Sequence, residues 1–201
     1  TYDMAACLDQ ITNQLGYDKR FKEYLFDSEG GPDNPYADPK GLVTGGEGHK
    51  FTSREEFVAT PYYINGSGRP ATVAEKGAGY DRLSAVGENN FTAQYYERPT
   101  PVRVASEYAT LLRAEDLLTR HHELNNVVVP IFDLMTAPMR RATMDVHFNA
   151  GMSQFPKARG FARELKKGEY CQSLHRLENN PNVRQRNEWT YNECMNGDFI
   201  R

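Results

Sequence analysis

The sequence predicts an α+β fold, with a small lobe built around a β-hairpin joined to a larger, mainly helical lobe. Three observations lead there. Apolar residues recur at helical spacing from Met4 to Leu25 and again from Val102 onward. Between them, the stretch from Gly30 to Gly48 is dense in glycine and proline, where no helix persists and short strands with tight turns are expected. The chain of 201 residues, 39% hydrophobic and 11% aromatic, is long and apolar enough to bury a core without metals or a disulfide framework. Its longest apolar stretch, Val127 to Phe132, is six residues carrying Pro130, so a membrane span is excluded by length.

Taken in order, the elements follow from spacing and punctuation. Met4, Leu8, Ile11 and Leu15 mark a first helix, stopped by Gly16. A second starts near Asp18, with Phe21 and Leu25 on one face and Tyr24 beside them. A hairpin is expected around Leu42 to Thr44. Thr52-Ser53-Arg54-Glu55 reads as a capping box opening a helix through Phe57. Residues 60–100 read as a turn-rich insertion containing one helix from Ala71 to about Val86, closed by Pro99 and Pro101. From Val102 the pattern is helical: Val104, Tyr108, Leu111 and Leu118 form one stripe, flanked by Leu112. Further stripes are Met135-Met139-Ala142-Val146, Phe161-Leu165 and Tyr170-Leu174-Leu177, and Asn180-Pro181 is the cap and first residue of a last helix. The chain is thus expected as one domain: a helical extension over 1–17, a helix and hairpin over 18–58, the insertion over 60–100, and a helical lobe over 102–195.

Net charge is −3, but it is uneven. Residues 1–100 hold 10 Lys and Arg against 15 Asp and Glu, whereas residues 136–186 hold 10 against 4. Such a basic back half either faces an anionic polymer or solvates outward helix faces. Its basic residues lack interleaved aromatics, which argues against nucleic acid as a partner. Of three cysteines, Cys171 and Cys194 can pair in an oxidising compartment, leaving Cys7 as a small buried residue. No Cys/His metal spacing is present, and His121-His122-Glu123 are adjacent helical residues that point apart, so no metal is expected.

The candidate chemistry lies between Glu29 and His49. Glu29 falls four residues beyond Leu25, which puts its carboxyl on the apolar stripe of a continuing helix, where poor solvation favours the protonated form a general acid needs. Asp38 follows Pro35 and Tyr36 in a loop, where hydration is expected to keep it ionised. Two carboxyls in contrasting environments suit glycoside hydrolysis.

Eight residues separate Glu29 from Asp38, and five separate Asp38 from Thr44. This spacing resembles the catalytic spacing of the phage-type lysozymes, glycoside hydrolase family 24. The local residues resemble the family too: Glu29-Gly30, Tyr36-Ala37-Asp38, and Gly41-Leu42-Val43-Thr44-Gly45-Gly46-Glu47-Gly48-His49. Phe148-Asn149-Ala150-Gly151 and Arg184-Gln185-Arg186-Asn187-Glu188 are similar to later family segments. The resemblance covers about residues 18–58 and 102–195.

It implies a lysozyme-like fold with an inserted segment at about 60–100, and a muramidase cleaving the β-1,4 bond between N-acetylmuramic acid and N-acetylglucosamine. Glu29 is then the general acid, Asp38 the residue activating water or stabilising the oxocarbenium-like transition state, and Thr44 a holder of that water. Inverting chemistry implies carboxyls roughly 6.5–9.5 Å apart. His49 is implied as a structural hydrogen-bonding residue, and Phe148 and Asn149 as locks on the core or cleft wall, with Asn149 as an alternative sugar contact. No cofactor is implied, since carboxylates and water suffice. The implied partner is the peptidoglycan glycan strand, met by a monomer in the bacterial periplasm or wall, with no nucleic acid and no membrane; an immunity or inhibitor protein is a further candidate. The chain begins at Thr1 and shows no signal-peptide pattern, which fits delivery as a domain of a longer endolysin or effector.

Some residues depart from the family. Glu47 stands where relatives carry an apolar residue, and strand alternation points it to solvent. Prolines 32, 35 and 39 stiffen the loop. Tyr62, Tyr63, Tyr80, Tyr95 and Tyr96 of the insertion either extend a glycan cleft or pack a core of their own. The rival readings are a lytic transglycosylase on the same bond, a silent peptidoglycan-binding or virion domain, and a nucleic-acid binder of salt-sensitive affinity.

Overall fold

A computed structural model describes residues 2–29, 34–45, 49–100, 102–104, 106–128, 131–151 and 166–200, without the side chains of 2–3, 27–29, 106–107 and 127–128. The fold is α+β, as the sequence pattern predicts. The chain divides into two compact units: Thr1–Asp9 with Phe26–Glu115, and Gln10–Leu25 with Asp116–Arg201. No described helix is long and apolar enough to cross a membrane.

Helix α1 (Tyr2–Gln14) buries Ala5 and Thr12, with Leu8 and Leu15 half-buried. Its inward stripe is therefore rotated by one position from the one expected, and Met4 and Ile11 face outward. Cys7 is exposed, not buried as expected, because it shares that outward face. Gly16, at φ +100°, reverses the chain into α2 (Lys19–Glu29). Asp18 caps α2 by accepting from the Phe21 N–H at 2.9 Å. Helix α5 (Ser106–Glu123) buries Leu111, Leu112, Ala114 and Leu117, while Leu118 is half-buried. It begins later than its apolar pattern suggested, because Val102–Val104 is a strand.

In the first unit, β1 (Tyr36–Ala37) pairs antiparallel with β2 (Val43–Thr44), in register Tyr36–Thr44 and Ala37–Val43. Helix α3 (Arg54–Ala59) follows. Its cap is Ser53, whose side chain accepts from the Glu56 N–H at 3.1 Å, one residue after the cap expected at Thr52. Strand β3 (Tyr62–Ile64) then pairs with β4 (Val102–Val104), and α4 (Val73–Ser84) fills the span between them. Val102–Val104 reads locally as helix, but only the distant partner Tyr62–Ile64 satisfies its backbone. Ala37 and Val43 of the hairpin share one core with Phe51, Phe57, Tyr62, Leu83, Tyr96 and Val102. The segment 60–100 is thus part of this unit's own core rather than an appendage.

The second unit is helical: α6 (Ala137–Ala150) packs mainly on α8 (Pro181–Met195), which also packs on α7 (Lys167–Ser173). The stripe Met135, Met139, Ala142 and Val146 is fully buried, as its spacing predicts. So are Tyr170 and Leu174, but Leu177 is 92% exposed, because α7 ends at Ser173 and the helical period no longer applies there. Phe161 and Leu165 lie outside the described residues. Asn180 caps α8 through the Val183 N–H at 3.0 Å, with Pro181 first in the helix. Tyr24 stacks on Trp189 with centroids 4.1 Å apart.

Four arginines of this unit turn inward: Arg140, Arg141, Arg176 and Arg186. Arg140 donates to the Leu15 and Met135 carbonyls, and Arg141 to Gly16 O and Glu193. Asp145, fully buried, receives Arg176 at 3.0 Å and Arg186 at 2.8 Å, while Thr190 donates to it at 2.8 Å. Burial pulls the Arg176 guanidinium below its usual pKa, and the Asp145 charge opposes that shift.

Cys171 and Cys194 form a disulfide joining α7 to α8 across a sequence separation of 23. Closing a loop of that length removes about 3–4 kcal/mol of unfolded-state entropy. Replacing both cysteines by serine is expected to lower stability by that amount and the melting temperature by about 10 °C, read by circular dichroism. A melt matching that of the reduced wild type, but unchanged from the oxidised one, would remove the cross-link from the account of stability.

Candidate active site

The hairpin of the first unit is built by its turn, Asp38-Pro39-Lys40-Gly41. Proline suits the second position of such a turn and glycine the fourth. The Gly41 N–H donates to Asp38 O at 2.8 Å, and the Asp38 N–H donates to Leu42 O at 2.9 Å. Gly41 has φ +85°, and a Cβ there would stand 2.7 Å from the Gly87 carbonyl carbon. Two glycine backbones therefore meet where the turn rests on the segment after α4. Asn89 completes that junction: its Nδ2 donates to Asp38 O at 3.0 Å, and its N–H to Pro39 O at 3.1 Å.

Asp38 is not the hydrated loop carboxylate that its neighbours suggested. It is 7% exposed, and backbone N–H groups take the place of water. Its Oδ1 accepts from the Lys40 N–H at 3.0 Å and the Leu42 N–H at 2.8 Å. Its Oδ2 lies 3.6 Å from Lys50 Nζ, on a side chain that is itself 60% exposed. One carboxylate oxygen thus holds the turn, and the other faces a cation at the protein's edge.

Thr44, 2% exposed in β2, donates its hydroxyl to Leu42 O at 3.0 Å. Asp38 and Thr44 therefore meet at one residue, Leu42, whose N–H serves the first and whose carbonyl serves the second. Having donated its proton, the Thr44 oxygen keeps acceptor capacity. Glu29 is the last residue of α2 and belongs to the same unit as the hairpin. Its side chain lies outside the described residues, and so do Gly46, Glu47 and Gly48. Pro32 also lies outside them.

His49 contacts Glu56 through Nε2 at 2.6 Å. Glu56 also receives the Thr52 N–H and hydroxyl, both at 2.8 Å. Desolvation would raise the Glu56 pKa, but these hydrogen bonds outweigh it and hold the carboxyl below the usual range. His49 so ties the end of the hairpin to the first turn of α3, a supporting position.

The insertion's tyrosines divide. Tyr62 and Tyr96 are buried and Tyr80 packs against the same core, whereas Tyr63 and Tyr95 are exposed. Burial raises the Tyr96 hydroxyl pKa. Asn89 and Phe91 were not singled out from sequence. The signal available was Gly87-Glu88-Asn89-Asn90, a turn sequence just after a helix, whose partner cannot be read locally.

In the second unit, Phe148 carries the Arg120 guanidinium 4.2 Å above its ring, and Asn149 accepts from Arg176 at 3.4 Å. His121, His122 and Glu123 turn to different partners: Tyr17 and Asp133, Asn126, and His147. Burial lowers the pKa of His121 and of His147, each against a carboxylate neighbour that would raise it. Among the described residues no group of three or more His, Cys, Asp or Glu is placed to hold a metal ion. A recess of about 210 Å³ lies between α7 and α8, lined by Leu174, His175, Glu178, Arg184, Glu188 and Tyr191. Glu178 is paired there with His175 at 3.3 Å and Arg184 at 3.5 Å, so its carboxylate is already engaged. Both carboxyls of that recess, Glu178 and Glu188, are exposed, so neither has the poor solvation that keeps a general acid protonated, and the acid/base chemistry is better sought at the hairpin. Set against family models, curated proteins and solved structures, the chain matches none of them.

Proposed function

We propose that this chain is a lysozyme-type glycoside hydrolase that cleaves the β-1,4 bond between N-acetylmuramic acid and N-acetylglucosamine in peptidoglycan. The observation that carries this reading is the spacing of Glu29, Asp38 and Thr44, with Asp38 and Thr44 converging on Leu42 in one hairpin. A hairpin-bearing unit and a helical unit are also the two parts that a lysozyme-like fold requires.

In this mechanism the Glu29 carboxylic acid gives its proton to the glycosidic oxygen as the C–O bond breaks. A water, held by donating to Thr44 Oγ1, attacks the anomeric carbon from the opposite face. Asp38 Oδ2 receives the proton that water releases, Oδ1 being committed to the turn. The carboxylates then exchange their protonation states through solvent. Displacement by water on the far face inverts the anomeric configuration. Peptidoglycan as substrate puts the site of action in the bacterial periplasm or wall.

The test is digestion of purified peptidoglycan by the wild type and Glu29→Gln, with products resolved by mass spectrometry. Muropeptides with borohydride-reducible N-acetylmuramic ends, lost in the variant, are expected. Anhydro ends would reassign the chain as a transglycosylase and leave Asp38 without its role. A wild type that releases no muropeptides overturns the reading.

A further inference from the structure

We propose that Phe91 and Tyr95 form an aromatic platform beside the Asp38 turn that stacks on a neutral N-acetylhexosamine ring, extending the glycan subsites of the first unit. The ligand class rests on the hydrolase reading above; the platform itself rests on geometry. The two rings are stacked with centroids 4.4 Å apart and planes 10° apart. They are 53% and 55% exposed, although the unit has a core that takes other aromatic rings of the same segment. Tyr96, the next residue, is 2% exposed and stands at 90° to Tyr95, backing the pair from inside. A flat apolar surface held rigidly in water marks an interaction site more often than a solitary exposed ring does.

Its position follows from Asn89. The side chain that donates to Asp38 O also accepts from the Phe91 N–H at 3.1 Å and the Tyr96 hydroxyl at 3.4 Å. Phe91 is two residues from Asn89, a reach of at most about 7 Å. At the other end of the segment, Asn34 donates to Ala93 O at 3.5 Å. The rings are therefore anchored to the same turn that carries the candidate base.

The chemistry around them selects the ligand. Gly87 to Arg98 holds Glu88 and Glu97 against the single Arg98, so the segment offers polyanions no net attraction. Asn90, Thr92 and Gln94, all exposed and neutral, alternate with the rings and offer donors and acceptors at their edges. A pyranose ring with equatorial substituents needs that combination: axial C–H bonds against a flat π-face, and hydroxyl and acetamido groups against neutral polar side chains. N-acetylglucosamine fits better than N-acetylmuramic acid, whose peptide-bearing lactyl arm carries further groups past the acidic flanks.

The test uses the full chain, with chito-oligosaccharides of four to six N-acetylglucosamine units as the probe. Binding is measured by calorimetry for the wild type, Phe91→Ala/Tyr95→Ala, and the stacking-conservative Phe91→Trp. Expected are a roughly tenfold loss of affinity in the double variant, retention in Phe91→Trp, and a change in its tryptophan emission on binding. On peptidoglycan the double variant should raise KM and leave kcat unchanged, because stacking holds ground state and transition state alike. Unchanged oligosaccharide affinity and KM in a double variant with a wild-type melt overturns the platform and leaves the hydrolase reading standing. Ring-dependent binding without muropeptide release upholds the platform and overturns the hydrolase. A wild type that neither binds nor cleaves glycan overturns both.

Discussion

Asp145→Asn is expected to destabilise the helical unit by about 3–5 kcal/mol. Asp145 has no exposed side-chain surface, and Arg176 and Arg186 are 4% and 9% exposed. Removing the carboxylate charge leaves two guanidiniums close together in a medium that solvates neither, and they then repel each other. Thr190 loses part of an acceptor as well. The melting temperature should fall by about 10 °C or more for a unit of this size. Adding Arg176→Met to Asp145→Asn should recover part of the loss, since one uncompensated cation disappears with it. A melt within a degree or two of wild type for Asp145→Asn would show that water or rearrangement reaches these guanidiniums.

The two oxygens of Asp38 should separate by substitution. Asp38→Ala removes the acceptor for the Leu42 N–H and for the Lys40 N–H, both of them part-buried. Two part-buried donors left unmade, and a turn no longer clasped, cost about 1–3 kcal/mol. Asp38→Asn keeps an oxygen for the turn and should melt within about 1 kcal/mol of wild type. Its other atom becomes an amide, which accepts no proton from water, so peptidoglycan turnover should fall by about 10²–10⁴-fold. Thermal melts and muropeptide release, measured on both variants, separate the turn from the chemistry. An Asn variant that turns over at the wild-type rate would leave Asp38 a turn residue only and remove it from the mechanism.

Most of the elements were legible because their signals are local. Gly16, Asn180-Pro181 and the stripe Met135-Met139-Ala142-Val146 each act within a turn or two of helix, and each works as its pattern predicts. The cap of α3 moved from Thr52 to Ser53 because both residue types can cap. Glu56 chose between them, reaching back to Thr52 while held by His49. Val102–Val104 was misread because its strand partner, Tyr62–Ile64, is some forty residues earlier, and three residues carry too little alternation to announce a strand.

The candidate site divides along the same line. Glu29, Asp38 and Thr44 are proposed from their spacing, and the Asp-Pro-Lys-Gly turn can be read from its residues. That Asp38 is buried and partly committed to the backbone could not be, because burial depends on what the distant Asn89 and Gly87 bring against it.

The sequence by itself determined which stretches are helical and where the chain turns at Gly16 and at Asp38 to Gly41, since propensity and turn chemistry act over a few residues. Only the tertiary structure decided which faces turn inward. It rotated α1, left Cys7 and Leu177 outside, and drew Tyr62 and Tyr96 into a core while leaving Phe91 and Tyr95 in water. It also turned Arg176 and Arg186, which by composition could have been surface charge, onto Asp145. The physical reason is that burial and ion pairing are set by neighbours far along the chain, and a charge goes inside only where the fold assembles its counter-charge.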